Sequence, residues 1–251
     1  MKKSDVLSGI SGIINAALYP GRCICCKAPV EENESLCGFC KRHIERIDLK
    51  SRCLKCGRDK KSCECRFREF YFSGVTAPFY NAGLARKALY DFKLGNNPSH
   101  AEFFAKEMTA AVKEKFRGIK FDGVYYIPIS LRARLKRGFN QSRILAKYLG
   151  ESLGVPVFGG VIGCRRGMPA QHSLKMSERI AVADRKYRSC GRAFGTVLLV
   201  DDIMTTGSTL SAASHVLLES GARDVYCVAA LMSRDRKKKN GNSPKDKELV
   251  F

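Results

Sequence analysis

No apolar run in the sequence approaches the ~20 residues that span a bilayer, so a membrane-crossing helix is not expected. Nor does the N-terminus fit a signal peptide: polar residues break SGIINAAL, and the stretch leads directly into cysteines. A helix over residues 1–20 suits it better. Val6, Leu7, Ile10, Ile13, Ile14, Ala17 and Leu18 share one face, and Pro20-Gly21 ends it. Acids are also scarce, with 24 Asp and Glu against 45 Lys and Arg, a net charge of +21 that favours polyanionic partners. A GxxxxGK[ST] loop is missing, which excludes a Walker ATPase. There are no repeats of solenoid length and no helicase or nuclease motif, so any motor acting on nucleic acid must be another chain.

What is there is unevenly distributed. Residues 131–147 carry six basic residues and no acid, and residues 164–192 carry eight against two. Nine of the 12 cysteines lie between Cys23 and Cys65. Clustered CxxC pairs without an export signal favour metal over disulfides and place the protein in the reducing cytoplasm. Cys23/Cys26, Cys37/Cys40 and Cys53/Cys56 are CxxC pairs, and Cys63/Cys65 is a CxC. Two residues between thiolates let both face one tetrahedral ion, so two pairs complete a structural Zn2+ site. The expected sets are Cys23, Cys26, Cys37, Cys40 and Cys53, Cys56, Cys63, Cys65, with crossed pairing or a single zinc as alternatives. Cys25 is the extra thiol. Catalytic zinc keeps an open position and often uses His, and only His43 lies nearby, so the metal is read as structural.

Beyond about residue 70 the pattern changes to alternating strands and helices. The segments 72–80, 123–129, 155–163, 196–202 and 224–232 read as strands. Segments 82–94, 99–116, 138–154 and 207–222 read as helices, with Ser99 as N-cap of the second. That alternation predicts an α/β fold, a parallel sheet flanked by helices and preceded by a small Cys-rich zinc module. The expected organisation is an N-terminal amphipathic helix (1–20), a zinc-binding module (21–70), an α/β domain (71–232) and a basic tail (233–251) too polar to fold.

The stretch VLLVDDIMTTGSTL carries the chemistry. Its apolar strand has no polar alternation, as in a strand covered on both faces, and it ends in Asp201 and Asp202. In a parallel sheet ligands bind at the carboxyl ends of strands. Thr205, Thr206, Gly207, Ser208 and Thr209 then feed a helix N-terminus, where unpaired N–H groups bind phosphate. An anion cradle beside two carboxylates suits a sugar phosphate.

This stretch resembles the phosphoribosyl pyrophosphate (PRPP) signature of type I phosphoribosyltransferases. The cysteine knuckles after LYPGRC, FKLGNNP around Lys93, IPISLRARLKRGFNQSRILA and RRGMPAQHSLKMSERI are similar to one branch, the ComF family of competence proteins. The resemblance implies a type I phosphoribosyltransferase-like sheet in which Asp201 and Asp202 hold the ribose hydroxyls and Thr205–Thr209 the 5′-phosphate. Pro128, Ile129 and Ser130 approach the pyrophosphate, and Mg2+ arrives with it. Arg132, Arg134, Lys136, Arg137, Phe139, Asn140 and Gln141 face pyrophosphate or nucleic acid. Gln171 and Arg179 join the acids as catalytic residues on a hood over the site.

Three functions follow: a competence protein assisting uptake of single-stranded DNA beside a separate helicase or translocase, an active PRPP- and Mg2+-dependent phosphoribosyltransferase, or a PRPP sensor without turnover. For the DNA role, stacking rings are expected to accompany the basic residues, with Phe139 the candidate and Tyr125 and Tyr126 read as core. Purine-salvage relatives place an aspartate where this chain has Thr205, which does not take a proton at neutral pH. A glutamine-dependent amidophosphoribosyltransferase is not expected either, because there is no room for a glutaminase domain and no nucleophilic cysteine near residue 1.

Overall fold

In the computed structural model, residues 21–63, 65–95, 97–130, 133–135, 138–165 and 187–234 are described. The helix expected over residues 1–20 and the tail from residue 235 lie outside them. In chain order, the cysteine-rich region contains helix α1 (Gly38–His43). Strands β1 (Gly74–Thr76) and β2 (Phe79–Tyr80) follow, then helices α2 (Gly83–Gly95) and α3 (Pro98–Lys115), strand β3 (Gly123–Tyr126) and helix α4 (Gln141–Leu153). The chain continues with strands β4 (Val157–Phe158), β5 (Ile162–Cys164), β6 (Tyr187–Ser189) and β7 (Gly195–Met204), helix α5 (Ser208–Glu219) and strand β8 (Ala222–Met232).

The main sheet is parallel throughout, in the order β1-β8-β7-β3-β4, with β2 pairing further along β8. Its two long central strands are apolar on both sides because both sides are covered. Val197, Leu199, Val225 and Cys227 pack with Leu210, Ala213 and Leu217 of α5. Leu198, Val200, Val228 and Ala230 pack on the opposite face with Leu89 of α2, Phe104 and Met108 of α3, and Leu145 and Leu149 of α4. Burying each of the Val, Leu, Phe and Met side chains contributes about 1.5–3 kcal/mol.

Among the described residues, the cysteine-rich region shares these two cores and has no separate one. Cys23, Ile24, Cys25, Leu36, Cys40 and Ile44 join the α2–α4 side, whereas Leu49 and Cys56 join the α5 side.

Several boundaries differ from the sequence expectation for local reasons. The strand expected over 72–80 is split into β1 and β2 at Pro78, which has no N–H to donate. Helix α3 is capped by Asn97 and not by Ser99: the Asn97 side chain accepts a hydrogen bond from Ser99 N at 2.9 Å, and Pro98 occupies the first turn, where it is pre-set for helix. The strand region 155–163 breaks at Gly159-Gly160, with Gly160 at φ +81°. Strand β5 then leaves the main sheet and pairs antiparallel with β6. Residues 166–186, including Gln171 and Arg179, connect these two strands and lie outside the described residues.

Candidate functional site

The cysteines gather as the spacing predicts. Cys23, Cys26, Cys37 and Cys40 form one group and Cys53, Cys56, Cys63 and Cys65 another, each with all sulfurs within 4.8 Å of one another. Both knuckles close by the same turn: Lys27 N donates to Cys23 O at 2.9 Å and Gly57 N to Cys53 O at 3.0 Å. The residue after each second cysteine is left-handed, Gly57 at φ +71° and Lys27 at φ +66°. Tetrahedral zinc, with Zn–S bonds of about 2.3 Å, sets its sulfurs about 3.8 Å apart. Cys26–Cys37 at 3.6 Å, Cys53–Cys65 at 3.8 Å and Cys56–Cys63 at 3.7 Å fit that edge.

Without a metal, one thiol of each quartet is favoured as the thiolate, while burial and the neighbouring thiols raise Cys26, Cys40, Cys56 and Cys65. Burial opposes ionisation of Cys23, but backbone N–H groups of Cys26, Cys37 and Cys25 outweigh it and lower the thiol to about 6. Burial likewise opposes ionisation of Cys53, and Cys56 N–H and the Cys63 side chain help bring it down to about 7. Cys25 is pushed up to about 12 by burial and by the charges of Cys23 and Cys26, so it stays a neutral core thiol.

Asp201 and Asp202 lie near the carboxyl end of β7 and differ sharply in environment. Asp201 is 7% exposed. It accepts Ser142 Oγ at 3.2 Å and Asp202 N at 2.8 Å. Burial, then the Asp202 charge, push its carboxyl up to about 7, against the lowering effects of Asp202 N–H, Lys93 and Ser142. Asp202 instead meets Lys93 from the end of α2, Nζ to Oδ2 at 2.8 Å, with side-chain exposures of 15% and 18%. One acid is thus neutral or charged according to pH near 7, and the other is held by a cation.

Past the acids, Thr205 is exposed while Gly207 and Ser208 are buried. Gly207, at φ +77°, is the N-cap of α5 and leaves it without a side-chain cap. A Cβ there would stand 3.0 Å from Met204 Cε and 3.2 Å from Phe70 Cε1, so glycine keeps the loop tight on its floor. Thr206 and Ser208 hydroxyls lie 2.9 Å apart, and Ser208 N donates to Thr206 Oγ1 at 3.4 Å. The result is a hydroxyl-lined turn at the positive end of a helix.

The neighbouring turn after β3 holds Pro128, Ile129 and Ser130. It opens into a cavity of about 560 Å³ whose lining includes Arg134, Phe139, Arg143, Lys147 and Tyr148. Phe139 is half-buried, its ring 6.1 Å from Phe92. Asn140 and Gln141 stand at the start of α4, and Asn140 lines the cavity. Asn140 caps α4, accepting Arg143 N at 3.4 Å and donating to Ile127 O at 3.0 Å. Gln141 is 1% exposed, and no partner for its Nε2 occurs among the described residues. Tyr125 is buried as expected and Tyr126 is half-buried. Arg132, Lys136 and Arg137 lie outside the described residues.

Sequence reasoning missed three participants. Lys93 and Ser142 reach the acids from helices distant in sequence, and Arg68 reaches Ser208 across 140 residues, Nη2 to Oγ at 2.8 Å. Lys93 stands in one of the blocks singled out above, but no local pattern reveals which acid it meets.

Comparison with known proteins extends the geometry. A double zinc ribbon domain matches residues 14–67 and a phosphoribosyl transferase domain matches residues 135–250. The chain is 27% identical over 223 residues to the DNA utilization protein YhgH of Salmonella typhimurium, covering 83% of this chain and 96% of that protein. It is 25% identical over 205 residues to the competence protein ComFC of Bacillus subtilis, covering 76% and 81%. Among solved structures, the glutamine PRPP amidotransferase of B. subtilis complexed with ADP and GMP aligns with a TM-score of 0.37 at 20% identity, covering 57% of this chain and 30% of that one. No described helix is long and apolar enough to cross a membrane. Over most of its length the chain is thus similar to the ComFC and YhgH proteins, with a double zinc ribbon match followed by a phosphoribosyl transferase domain match.

Proposed function

We propose that this protein binds PRPP in the cytoplasm and serves competence or DNA utilization, engaging single-stranded DNA on the basic face beside the PRPP site. The observation that carries the reading is the enclosed acid pair at the end of β7, opening onto a hydroxyl-lined turn and a helix start. Asp201 and Asp202 accept the ribose hydroxyls, and the Thr205–Thr209 turn donates to the 5′-phosphate. Mg2+, bound with the pyrophosphate, supplies charge neutralisation there. Pro128–Ser130 flank the pyrophosphate, with Arg134 nearby on the described part of the loop. For DNA, Arg134, Arg143 and Lys147 provide phosphate contacts, and Phe139 and Tyr148 offer rings for stacking.

Titration calorimetry with PRPP and Mg2+, on the wild type and on Asp201→Asn/Asp202→Asn, tests the site. Saturable binding by the wild type and its loss in the double variant are expected; equal binding by both sinks the assignment. Single-stranded DNA is expected to bind with an affinity that falls as salt rises. Binding no better than a neutral control protein at moderate salt removes the DNA role. Pyrophosphate release with a nucleobase would make the protein a transferase, for which Thr205 offers no proton acceptor. Binding without release makes PRPP a sensed ligand.

A further inference from the structure

A second cavity, of about 370 Å³, lies where the second zinc ribbon meets the C-terminal turn of α3. Its lining includes the cations Lys50, Arg52, Lys60, Lys115 and Arg117 and, among the described residues, one acid, Glu114. The ribbon joins the edge strand β1 here, Leu54 O accepting Val75 N at 2.9 Å. The cavity beside Pro128, in contrast, takes in Phe158 of β4, at the other edge of the same sheet.

Two of these cations are committed to the fold. Lys115 Nζ donates to Leu49 O and Arg52 O, and the Arg52 guanidinium donates to the Tyr80 hydroxyl and lies over its ring at 5.2 Å. Lys50, Lys60 and Arg117 are exposed, and no ion pair holds any of them among the described residues. The dipole of α3 accounts for the basic residues of its own last turn, Lys113 and Lys115. It does not account for Lys50 and Lys60, which the ribbon brings from elsewhere in the chain. The surroundings keep the same sign: residues 50–61 carry six basic residues against one acid, and residues 113–120 four against one. Positive charge thus converges on a concave surface from two elements, which concentrates a polyanion there. No aromatic ring lines this cavity among the described residues, so it offers charge to a phosphate and no stacking face to a base.

We propose that this cavity binds backbone phosphates of a nucleic-acid strand through Lys50, Lys60 and Arg117, whatever the bases. The proposal rests on the reading that the chain engages single-stranded DNA, and it adds a second contact surface at the opposite edge of the sheet. The ring-lined cavity beside Pro128 takes bases, and the ribbon cavity holds the backbone alone.

Fluorescence anisotropy of the zinc-loaded full chain across a salt series tests it, with a labelled single-stranded oligonucleotide and with an abasic strand of equal length. Lys50→Gln/Lys60→Gln is expected to weaken both strands about tenfold at moderate salt, with zinc content unchanged. The slope of log affinity against log salt is expected to become shallower by about 1.4, two contacts at about 0.7 each for a single strand. Lys87→Gln/Lys106→Gln, which removes the same charge from exposed positions elsewhere, leaves affinity and slope unchanged. An unchanged slope in Lys50→Gln/Lys60→Gln overturns the proposal, and so does an equal loss in Lys87→Gln/Lys106→Gln, which reduces the effect to net charge. A loss confined to the normal strand also overturns it, because the contact is then to bases. Calorimetry with inorganic phosphate separates a free ion from a strand: saturable binding that Lys50→Gln/Lys60→Gln abolishes, with both strands unaffected, assigns the cavity to free phosphate and overturns the nucleic-acid partner. A wild type that binds neither strand overturns the DNA reading itself, a failure distinct from strand binding that the two lysines do not change.

Discussion

The two zinc ribbons use the same four-thiol ligand set but are joined to the α/β domain differently. The first packs Ile24, Leu36 and Ile44 against the α2–α4 side, and its Lys27 reaches Asp91 of α2 at 3.0 Å. The second is stitched in through the backbone: Val75 N of β1 donates to Leu54 O at 2.9 Å, and Lys115 Nζ of α3 donates to Leu49 O and Arg52 O at 2.7 and 2.6 Å. Gly57 of its knuckle lies so close to Met232 that an added Cβ would stand 2.6 Å from Cε. Each ribbon also leads to a different half of the candidate site. Helix α2, which the first ribbon covers, ends in the Lys93 that holds Asp202, whereas the segment leaving the second ends on Ser208. Both ribbons are thus part of the core, one held by buried side chains and the other also by hydrogen bonds to its backbone.

The sharpest way to break this contrast is to remove one ligand from each ribbon. Cys56→Ser is expected to destabilise by more than about 4 kcal/mol, because losing the metal opens the core around Cys56 and also loosens the backbone ties of that ribbon to β1 and α3. Cys40→Ser, in the core on the α2–α4 side but in the ribbon without those backbone ties, is expected to lose one zinc with a smaller shift of the main unfolding transition. Zinc content by elemental analysis and thermal unfolding read both. If Cys40→Ser lowers the main transition as far as Cys56→Ser does, the distinction between the ribbons fails.

A smaller effect separates the two acids. The Asp201 carboxyl titrates near 7 when folded, against an ordinary value of 3.8. Between those values the folded chain holds a proton that the unfolded chain has released, so stability falls as pH rises through that window and is constant above it. Asp201→Asn removes the penalty and is expected to stabilise by about 2 kcal/mol at pH 8, with little gain at pH 4. A melting-temperature difference that does not grow between pH 4 and pH 8 contradicts the buried environment assigned to Asp201. Lys93→Met acts in the opposite sense, leaving Asp202 without its cation and pushing Asp201 higher still. It is expected to cost about 1 kcal/mol at pH 8 and less at pH 5, where Asp201 is protonated. Denaturant unfolding at the two pH values checks that ordering.

Legibility in the sequence followed the range of the interactions. The unbroken apolar run before Asp201 identified a strand covered on both faces, and CxxC and CxC spacing identified the four thiol pairs, because both patterns are written within a few residues; which pairs join, left open by spacing, is given by the structure. Boundaries were blurred wherever two local signals competed. Asn97 and Ser99 both suit a helix cap, and Pro98 between them decided for Asn97. Asn140 and Gln141 were expected beside pyrophosphate or nucleic acid; the structure gives Asn140 the further task of capping α4 and buries Gln141 beside it. The contacts that complete the site, Lys93 to Asp202, Ser142 to Asp201 and Arg68 to Ser208, are set by the packing of distant elements. No periodicity or spacing encodes them.

The mildest perturbation tests what attaches the first ribbon. Lys27 and Asp91 form the ion pair across its junction with α2, but their side chains are 50% and 33% exposed. Water screens such a pair, and holding two flexible side chains in register costs entropy, so its net contribution is small. The apolar contacts beneath it, where Ile24 is 2% and Leu36 6% exposed, are not screened. Lys27→Ala is therefore expected to cost about 0.5 kcal/mol or less, with no loss of zinc, and the cost shrinks further in high salt. Ile24→Ala, which removes buried surface from the same junction, is expected to cost about 2 kcal/mol or more irrespective of salt. If the two variants exchange ranks, the junction is electrostatic, and the first ribbon is held to α2 by charge and not by packing.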